Sequence, residues 1–403
     1  MSVLASQPQD GSSVLGKLLP VMAVVFLLFL LTGLALPVLP MYVHQHLGLS
    51  TFVVGLVSGS QFAASLICRI WSGQYSDTRG AKGAVVAGLI AAMGAGILYL
   101  SSLYFLPRVR ISVSYLLAGR AMLGGAESFI TTGALSWGLM LVDEHSAGKV
   151  MSWVGTAMYA ALALGAPVGN ALYAKFGFAA IGLVTALVPF LVLLFVAKLQ
   201  PVVPQNLTRQ PLLKVIGSVW FPGVGLALSS IGFGAITAFI GLLFVERGWG
   251  APWLPFSAFA GSFMAARVFF GHLPDRLGGA RVALVCVLVE SLSLAIIWIA
   301  PSADVAVFGA VVTGLGYSLV FPGLGIEAVR RAPLQNRGLA MGAYTAFLDL
   351  ALGLGGPALG LVGNLAGLDA VFWVSSITVL CSAAFSMKLL KASRQNRLRR
   401  ADA

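Results

Sequence analysis

The sequence predicts an all-helical membrane protein of twelve transmembrane spans, built as two parallel-repeat six-helix halves with both termini cytoplasmic. Three observations predict it. Only 9% of the 403 residues are charged, 59% are apolar and 48 are Gly, with a mean hydropathy of +0.94. A soluble domain carries roughly 25% charged residues and about 7% Gly to clothe its core, so water is excluded as the solvent, and with it a soluble enzyme or a disordered chain. Second, Asp, Glu, Lys and Arg are absent from 18–68, 83–107, 150–174, 176–197, 215–245, 248–266, 305–326 and 370–387. A helix needs about 20 predominantly apolar residues to cross the bilayer, whereas a membrane barrel would alternate polarity in stretches of about ten. Third, the chain matches itself across its midpoint, as set out below.

Taken in order, a tail of 1–17 precedes a first span near 18–42. Only Lys17 flanks that run, which is too long for a signal-peptide core and lacks a small-residue cleavage site after it. Spans follow near 52–73, 84–106, 112–138, 150–174 and 178–197, completing an N-terminal half over 18–198. A linker over 199–215 carries Pro201, Pro204, Gln205, Asn206 and Pro211, a polar, helix-breaking composition. The C-terminal half, 216–390, holds spans near 216–244, 250–271, 282–301, 304–328, 339–364 and 370–388, and a basic tail fills 391–403.

The net charge of +12 is unevenly placed. Eighteen of the 25 Lys and Arg fall on the side of Lys17, Arg79, Lys82 and the C-terminal tail, against four on the other side: Arg108, Arg110, Lys175 and Arg247. Arg69, Arg120 and Arg267 lie within spans or at their ends. The positive-inside rule makes the richer side cytoplasmic and the span number even. The charge therefore encodes orientation, and no nucleic-acid partner is expected. Cys68, Cys286 and Cys381 fall within spans without paired spacing, so neither a disulfide framework nor a metal site is expected. Both Gly-Lys pairs lack a following Ser or Thr, which excludes a P-loop.

The self-match is specific. Arg69-x3-Gly73-x3-Asp77-x2-Gly80 recurs as Arg267-x3-Gly271-x3-Asp275-x2-Gly278, displaced by 198 residues. Gly148, Met151, Gly165, Pro167 and Gly177 recur as Gly338, Met341, Gly355, Pro357 and Gly367, displaced by 190. Two six-span halves of one topology can rock about a midplane site, the architecture of a secondary transporter.

Gly73-Gln-Tyr-Ser-Asp77-Thr-Arg79-Gly80-Ala-Lys82 resembles the loop 2–3 signature of the major facilitator superfamily, and Gly271-His-Leu-Pro-Asp275-Arg276-Leu-Gly278 its copy in loop 8–9. The resemblance covers the whole chain, and more closely it is similar to the uncharacterised bacterial transporters of the YhhS/YfcJ type. It implies that these residues form gating loops, with Asp77 facing the start of span 11 near Leu339 in the outward-facing state and releasing it on rocking. The plainer reading is that the charges only set topology. Thr78 stands where the family has Lys or Arg. Gly73 and Gly271 are expected where helices approach closely, and Gly80 and Gly278 where a turn excludes a side chain.

Arg120-x3-Gly124 resembles the family's membrane arginine signature, which is implicated in proton coupling. Glu127, seven positions on, shares its helix face. The two form either a structural ion pair or a proton site in which separation from the arginine lets the carboxylate gain a proton. Charges near the bilayer centre cost about 2.5–3.5 kcal/mol on insertion scales and so seek a cavity or a partner. Asp349 in span 11 is accordingly either protonatable and cavity-facing or one member of a structural pair. Glu290 lies in span 9, peripheral in the family, and is expected as a structural partner, with Arg267 the candidate. Glu327 suits a surface ion pair with Arg330 and Arg331.

Gly165-Ala-Pro167 in span 5 and Gly355-Gly356-Pro357-Ala-Leu-Gly360 in span 11 resemble the glycine-proline signature of the family's exporters, though the full order stands here in span 11 rather than span 5. Such residues thin and bend a helix. Thr32, Thr237, Tyr317 and Phe321 are further cavity candidates. The expected function is proton-coupled export of a small organic solute by a cofactor-free monomer of the bacterial inner membrane, multi-pass. The alternative is a proton-coupled uptake symporter. An enzyme is disfavoured because His44, His46, His145 and His272 lie in loops or at helix ends with no nucleophile motif around them, and a channel because no span repeats a ring-forming polar residue.

Overall fold

A computed structural model of the chain describes residues 11–141, 147–201, 212–331 and 337–401. His145 and the linker residues Pro204, Gln205, Asn206 and Pro211 lie outside the described residues. All regular structure among the described residues is helical: α1 (Gly11–Met41), α2 (Thr51–Arg79), α3 (Ala81–Tyr104), α4 (Val109–Met140), α5 (Ala147–Phe176), α6 (Phe178–Ala197), α7 (Leu212–Glu246), α8 (Leu254–Phe270), α9 (Leu273–Leu277), α10 (Gly279–Trp298), α11 (Ala303–Ser318), α12 (Val320–Arg331), α13 (Arg337–Ala366) and α14 (Leu368–Ala401). α1 carries Pro37 and Pro40 near its end, two residues without a backbone donor, and winds out through a π-helical turn, Tyr42–His46.

Ten spans among the described residues are long and apolar enough to cross a membrane. The expectation was twelve; α4 and α8 fall outside the ten. α8 is 17 residues long, and α4 carries Arg110, Arg120 and Glu127. The expected tenth span is two helices, α11 and α12, which meet at Leu319.

Helices α1–α6 pack among themselves, as do α7–α14, and among the described residues the two groups meet chiefly where α2 packs on α13, α1 on α7 and α5 on α8. The tightest seam is α2 on α13. Gly55 and Gly59 lie against Gly353, Gly356 and Pro357, and Gly360 lies on the backbone of Thr51, whose hydroxyl donates to its carbonyl at 2.9 Å. Pro357 explains part of the fit. Lacking an N–H, it leaves the Gly353 carbonyl without its helical donor, and Gly59 brings α2 directly onto that oxygen.

The two groups repeat one another in their packing. Gly124 of α4 meets the backbone of Gln61, as Gly314 of α11 meets that of Phe259; Gly133 meets Ala81, as Gly323 meets Gly279. These pairs keep the displacements of 190 and 198. The loop glycines match too: Gly80 and Gly278 take φ of 84° and 96°, Gly177 and Gly367 of 71° and 88°, a region in which a side chain is strained.

Candidate functional site

Gln61, Ser65 and Arg69 succeed one another at intervals of four on α2, one above the next on a single face. Glu127 comes within reach because Gly124, nearly one turn earlier, lets α4 touch α2. Gln61 Nε2 donates to Glu127 Oε2 at 2.7 Å. Asp349 approaches from α13 in the other group: Arg69 Nε donates to its Oδ2 at 3.1 Å, the Arg69 Nη2 donates to the same oxygen, and the Ser65 hydroxyl approaches it at 3.4 Å. The Asp349 side chain is 3% exposed and that of Arg69 20%. A buried carboxylate at this depth is costly unless paired, and its partner here crosses between the groups. The cluster can therefore hold or exchange a proton at a carboxyl group while joining or releasing two bodies.

The Arg120–Glu127 ion pair, one of the two readings from sequence, is not formed. Arg120 is buried to 1% exposure, lies beside Tyr99, and its Nε and Nη1 have no hydrogen-bond partner among the described residues. Seven positions put both residues on one face of α4, but Gln61 holds the carboxylate from α2. Glu290 likewise does not meet Arg267. It is fully buried and accepts the Ser229 hydroxyl of α7 at 2.5 Å.

Arg267 sits instead among rings. Its Cζ lies 4.4 Å from the Tyr159 ring centroid, and Nη1 donates to the Ser318 carbonyl at 3.3 Å. That carbonyl is available because its helical donor would be residue 322, a proline. Tyr159 packs on Phe263 and Phe321 with centroids 5.3 and 6.0 Å apart. The buried Tyr317 shares a hydrogen bond with Ser230 at 3.1 Å and stacks on Phe233.

The remaining candidates are dispersed. Thr32 is buried, and its hydroxyl has no partner among the described residues. Thr237 donates to the Gly234 carbonyl and lines a small crevice with Pro37, Pro40, Met41 and Pro252. Gly165 packs on Gly33 of α1 within its own group, whereas Gly356, Pro357 and Gly360 meet α2 across the seam. Gly73, Asp77 and Arg79 fall in the last two turns of α2, with Arg79 6.0 Å from the Tyr75 ring. Asp275 and Arg276 are exposed on α9. Gly271 differs from expectation: a Cβ there would meet only its own Arg267, so no neighbouring helix requires the glycine. Lys82 caps α6, donating to the carbonyls of Ala197 and Leu199 at 2.9 and 2.5 Å. The side chain of Leu339, which Asp77 is expected to face, lies outside the described residues. Glu327 bonds Arg331 at 3.2 Å, with Arg330 at 3.6 Å, as the spacing predicts, but its side chain is buried rather than on the surface.

Sequence reasoning missed Gln61, Ser65 and Tyr159 and left Arg69 without a partner. The i, i+4, i+8 series of Gln61, Ser65 and Arg69 on one face of α2, ending in a charge within the span, was the available signal.

The sequence pattern described as the Major Facilitator Superfamily matches residues 21–279 and 224–403. A protein described as an uncharacterized MFS-type transporter of Salmonella typhimurium is 42% identical over 369 residues, covering 92% of this chain and 95% of that one. The uncharacterized MFS-type transporter YhhS of Escherichia coli is 37% identical, covering 91% and 90%. Among solved structures, a D-xylose-proton symporter superposes with a TM-score of 0.74 at 15% identity, covering 92% of this chain and 97% of that one, a likeness that bears on the fold.

Proposed function

The chain belongs to the Major Facilitator Superfamily, whose members are secondary transporters, and from that premise we propose that it exports a small organic solute in exchange for protons by alternating access. Counting α4 and α8 with the other spans gives twelve crossings, an even number consistent with both termini being cytoplasmic by the placement of Lys and Arg. The halves are 18–198 and 216–390, the linker is 199–215, and the protein is a monomer of the bacterial inner membrane. On this orientation the seam formed by Thr51, Gly360, Met41 and Gly241 is periplasmic, and it holds the two halves together at that end.

One observation carries the reading: the buried Arg69–Asp349 pair joins helices of different halves beside a second carboxylate, Glu127. A proton arriving on Asp349 cancels the charge that holds Arg69 and loosens α2 from α13. Its departure to the cytoplasm restores the pair. Glu127, held by the neutral amide of Gln61, is the site that carries the proton to and from this cluster. The export direction is supported by the glycine-proline series of α13, which meets α2 across the halves.

Proteoliposomes loaded with a pH-sensitive dye test this against a library of organic solutes added outside. Exchange alkalinises the interior when a transported solute enters; a symporter acidifies it, and that sign would overturn export. Glu127→Gln is expected to remove the solute-dependent proton signal while solutes still raise the Tm. An unchanged proton signal in that variant would sink its role as carrier.

A further inference from the structure

The duplication superimposes the two clusters residue by residue. The displacement of 198 takes Arg69 to Arg267, and that of 190 takes Glu127 to Tyr317 and Tyr159 to Asp349. The contacts obey the same relation. Arg69 of α2 reaches across the halves to Asp349 of α13, and Arg267 of α8 reaches across to Tyr159 of α5. Where one arginine has a carboxylate across the seam and another on the neighbouring helix of its own half, the other has a tyrosine at both places. Among the described residues Arg267 forms no ion pair. Its bond to the Ser318 carbonyl uses one of five guanidinium donors. Arg267 and Phe321 keep part of their surface accessible, while Tyr159, Phe263 and Tyr317 are buried behind them.

We propose that Arg267, with the rings of Tyr159, Phe263, Tyr317 and Phe321, binds an organic monoanion that carries an aromatic ring. Its carboxylate takes the place on Arg267 that Asp349 takes on Arg69, and its ring lies against Tyr159 and Phe321. The chemistry fits both ends. A guanidinium offers a carboxylate paired, charge-assisted N–H donors, and the rings contributed by α5, α8, α11 and α12, which already meet one another in tilted and edge contacts, offer an aromatic partner surface. One unpaired guanidinium balances one negative charge; a dianion would leave a second charge desolvated. This inference rests on the transporter reading, for which it names the solute class.

The test is equilibrium binding to the purified full chain in lipid nanodiscs, with no pH gradient. Radiolabelled phenylacetate is the probe; phenylacetamide, its neutral analogue, and cyclohexylacetate are competitors. Saturable phenylacetate binding is expected, with both competitors weaker and phenylacetamide weaker by at least about tenfold, the loss of one charge-assisted pair. Arg267→Gln should abolish binding. Tyr159→Asp should also abolish it while raising the Tm, because it supplies from within the carboxylate that the other half already has. The proposal is overturned by absence of saturable phenylacetate binding to the wild type, by phenylacetamide competing as well as phenylacetate, or by unchanged binding in a folded Arg267→Gln. If Arg267→Gln does not fold, undiminished binding in Tyr159→Asp overturns it instead. The two readings separate cleanly. Absent binding with solute-coupled proton flux intact removes this site alone, and intact binding without such flux counts against proton-driven export alone.

Discussion

Arg69 and Asp349 each answer the other's desolvation, so the cost of losing one differs from the cost of losing both. Removing one member of a buried ion pair leaves an uncompensated charge, typically about 3–5 kcal/mol, whereas replacing both with apolar groups of similar volume is often close to neutral. Arg69 retains 20% exposure, which places the single-variant loss near the lower end, about 3 kcal/mol. Asp349→Leu and Arg69→Met should each lower the Tm of the purified protein, and the double variant should recover most of the loss. Equal Tm values in the three variants and the wild type would mean that the pair contributes nothing to holding the halves. The double variant should still lack solute-coupled proton movement, since its carboxyl is gone. Arg120 contrasts with this pair. It is more deeply buried than Arg69, yet two of its nitrogens have no partner among the described residues, and nothing in the described contacts explains how that cost is met.

At the scale of elements, the seam between α2 and α13 is made of what is missing. A Cβ on Gly59 would lie 2.7 Å from the Gly353 carbonyl oxygen and 2.9 Å from Pro357 Cδ, closer than real Cβ contacts come. Gly59→Ala should therefore push the helices apart at a cost of about 1–3 kcal/mol, the usual range for overpacking. The same change at Gly261 of α8 would meet nothing within 4 Å. There, helix propensity alone favours Ala by about 0.5–1 kcal/mol. Thermal unfolding of the two variants side by side provides the check. Should Gly59→Ala be as stable as Gly261→Ala, the close approach would not be a determinant of the seam. α12 illustrates a second elementary effect: Pro322 strips the Ser318 carbonyl of its donor, and an arginine from another helix supplies one.

For the whole molecule, alternating access requires the seam that holds one end closed to open once in each cycle. Gly241 faces Met41 there, with a Cβ on Gly241 placed 3.6 Å from the methionine Sδ. In a background with Cys68, Cys286 and Cys381 changed to Ser, Met41→Cys combined with Gly241→Cys should cross-link between α1 and α7 and arrest solute-coupled proton movement. Reduction should restore it. Full activity in the cross-linked protein would exclude rocking about this seam. The packing that makes such motion conceivable is itself duplicated, since Gly124 on Gln61 and Gly314 on Phe259 belong to one pattern used twice.

The sequence by itself determined the solvent, the helical class, the duplication and the family, because each is written in composition or in short-range and displaced spacing. It marked Arg69 and Arg267 as counterparts and Glu127 and Asp349 as costly charges. It did not pair them. Helical spacing reports which residues share a face of one helix, and on that ground it offered Arg120 for Glu127; Arg267 was offered for Glu290, on a different helix, with no spacing to support it. Tertiary structure decided otherwise, giving Gln61 to Glu127, Ser229 to Glu290, Arg69 to Asp349 and Tyr159 to Arg267. The physical reason is distance along the chain. Partners of buried charges are chosen by which helices glycine and proline allow to touch, and Arg69 and Asp349 are 280 residues apart.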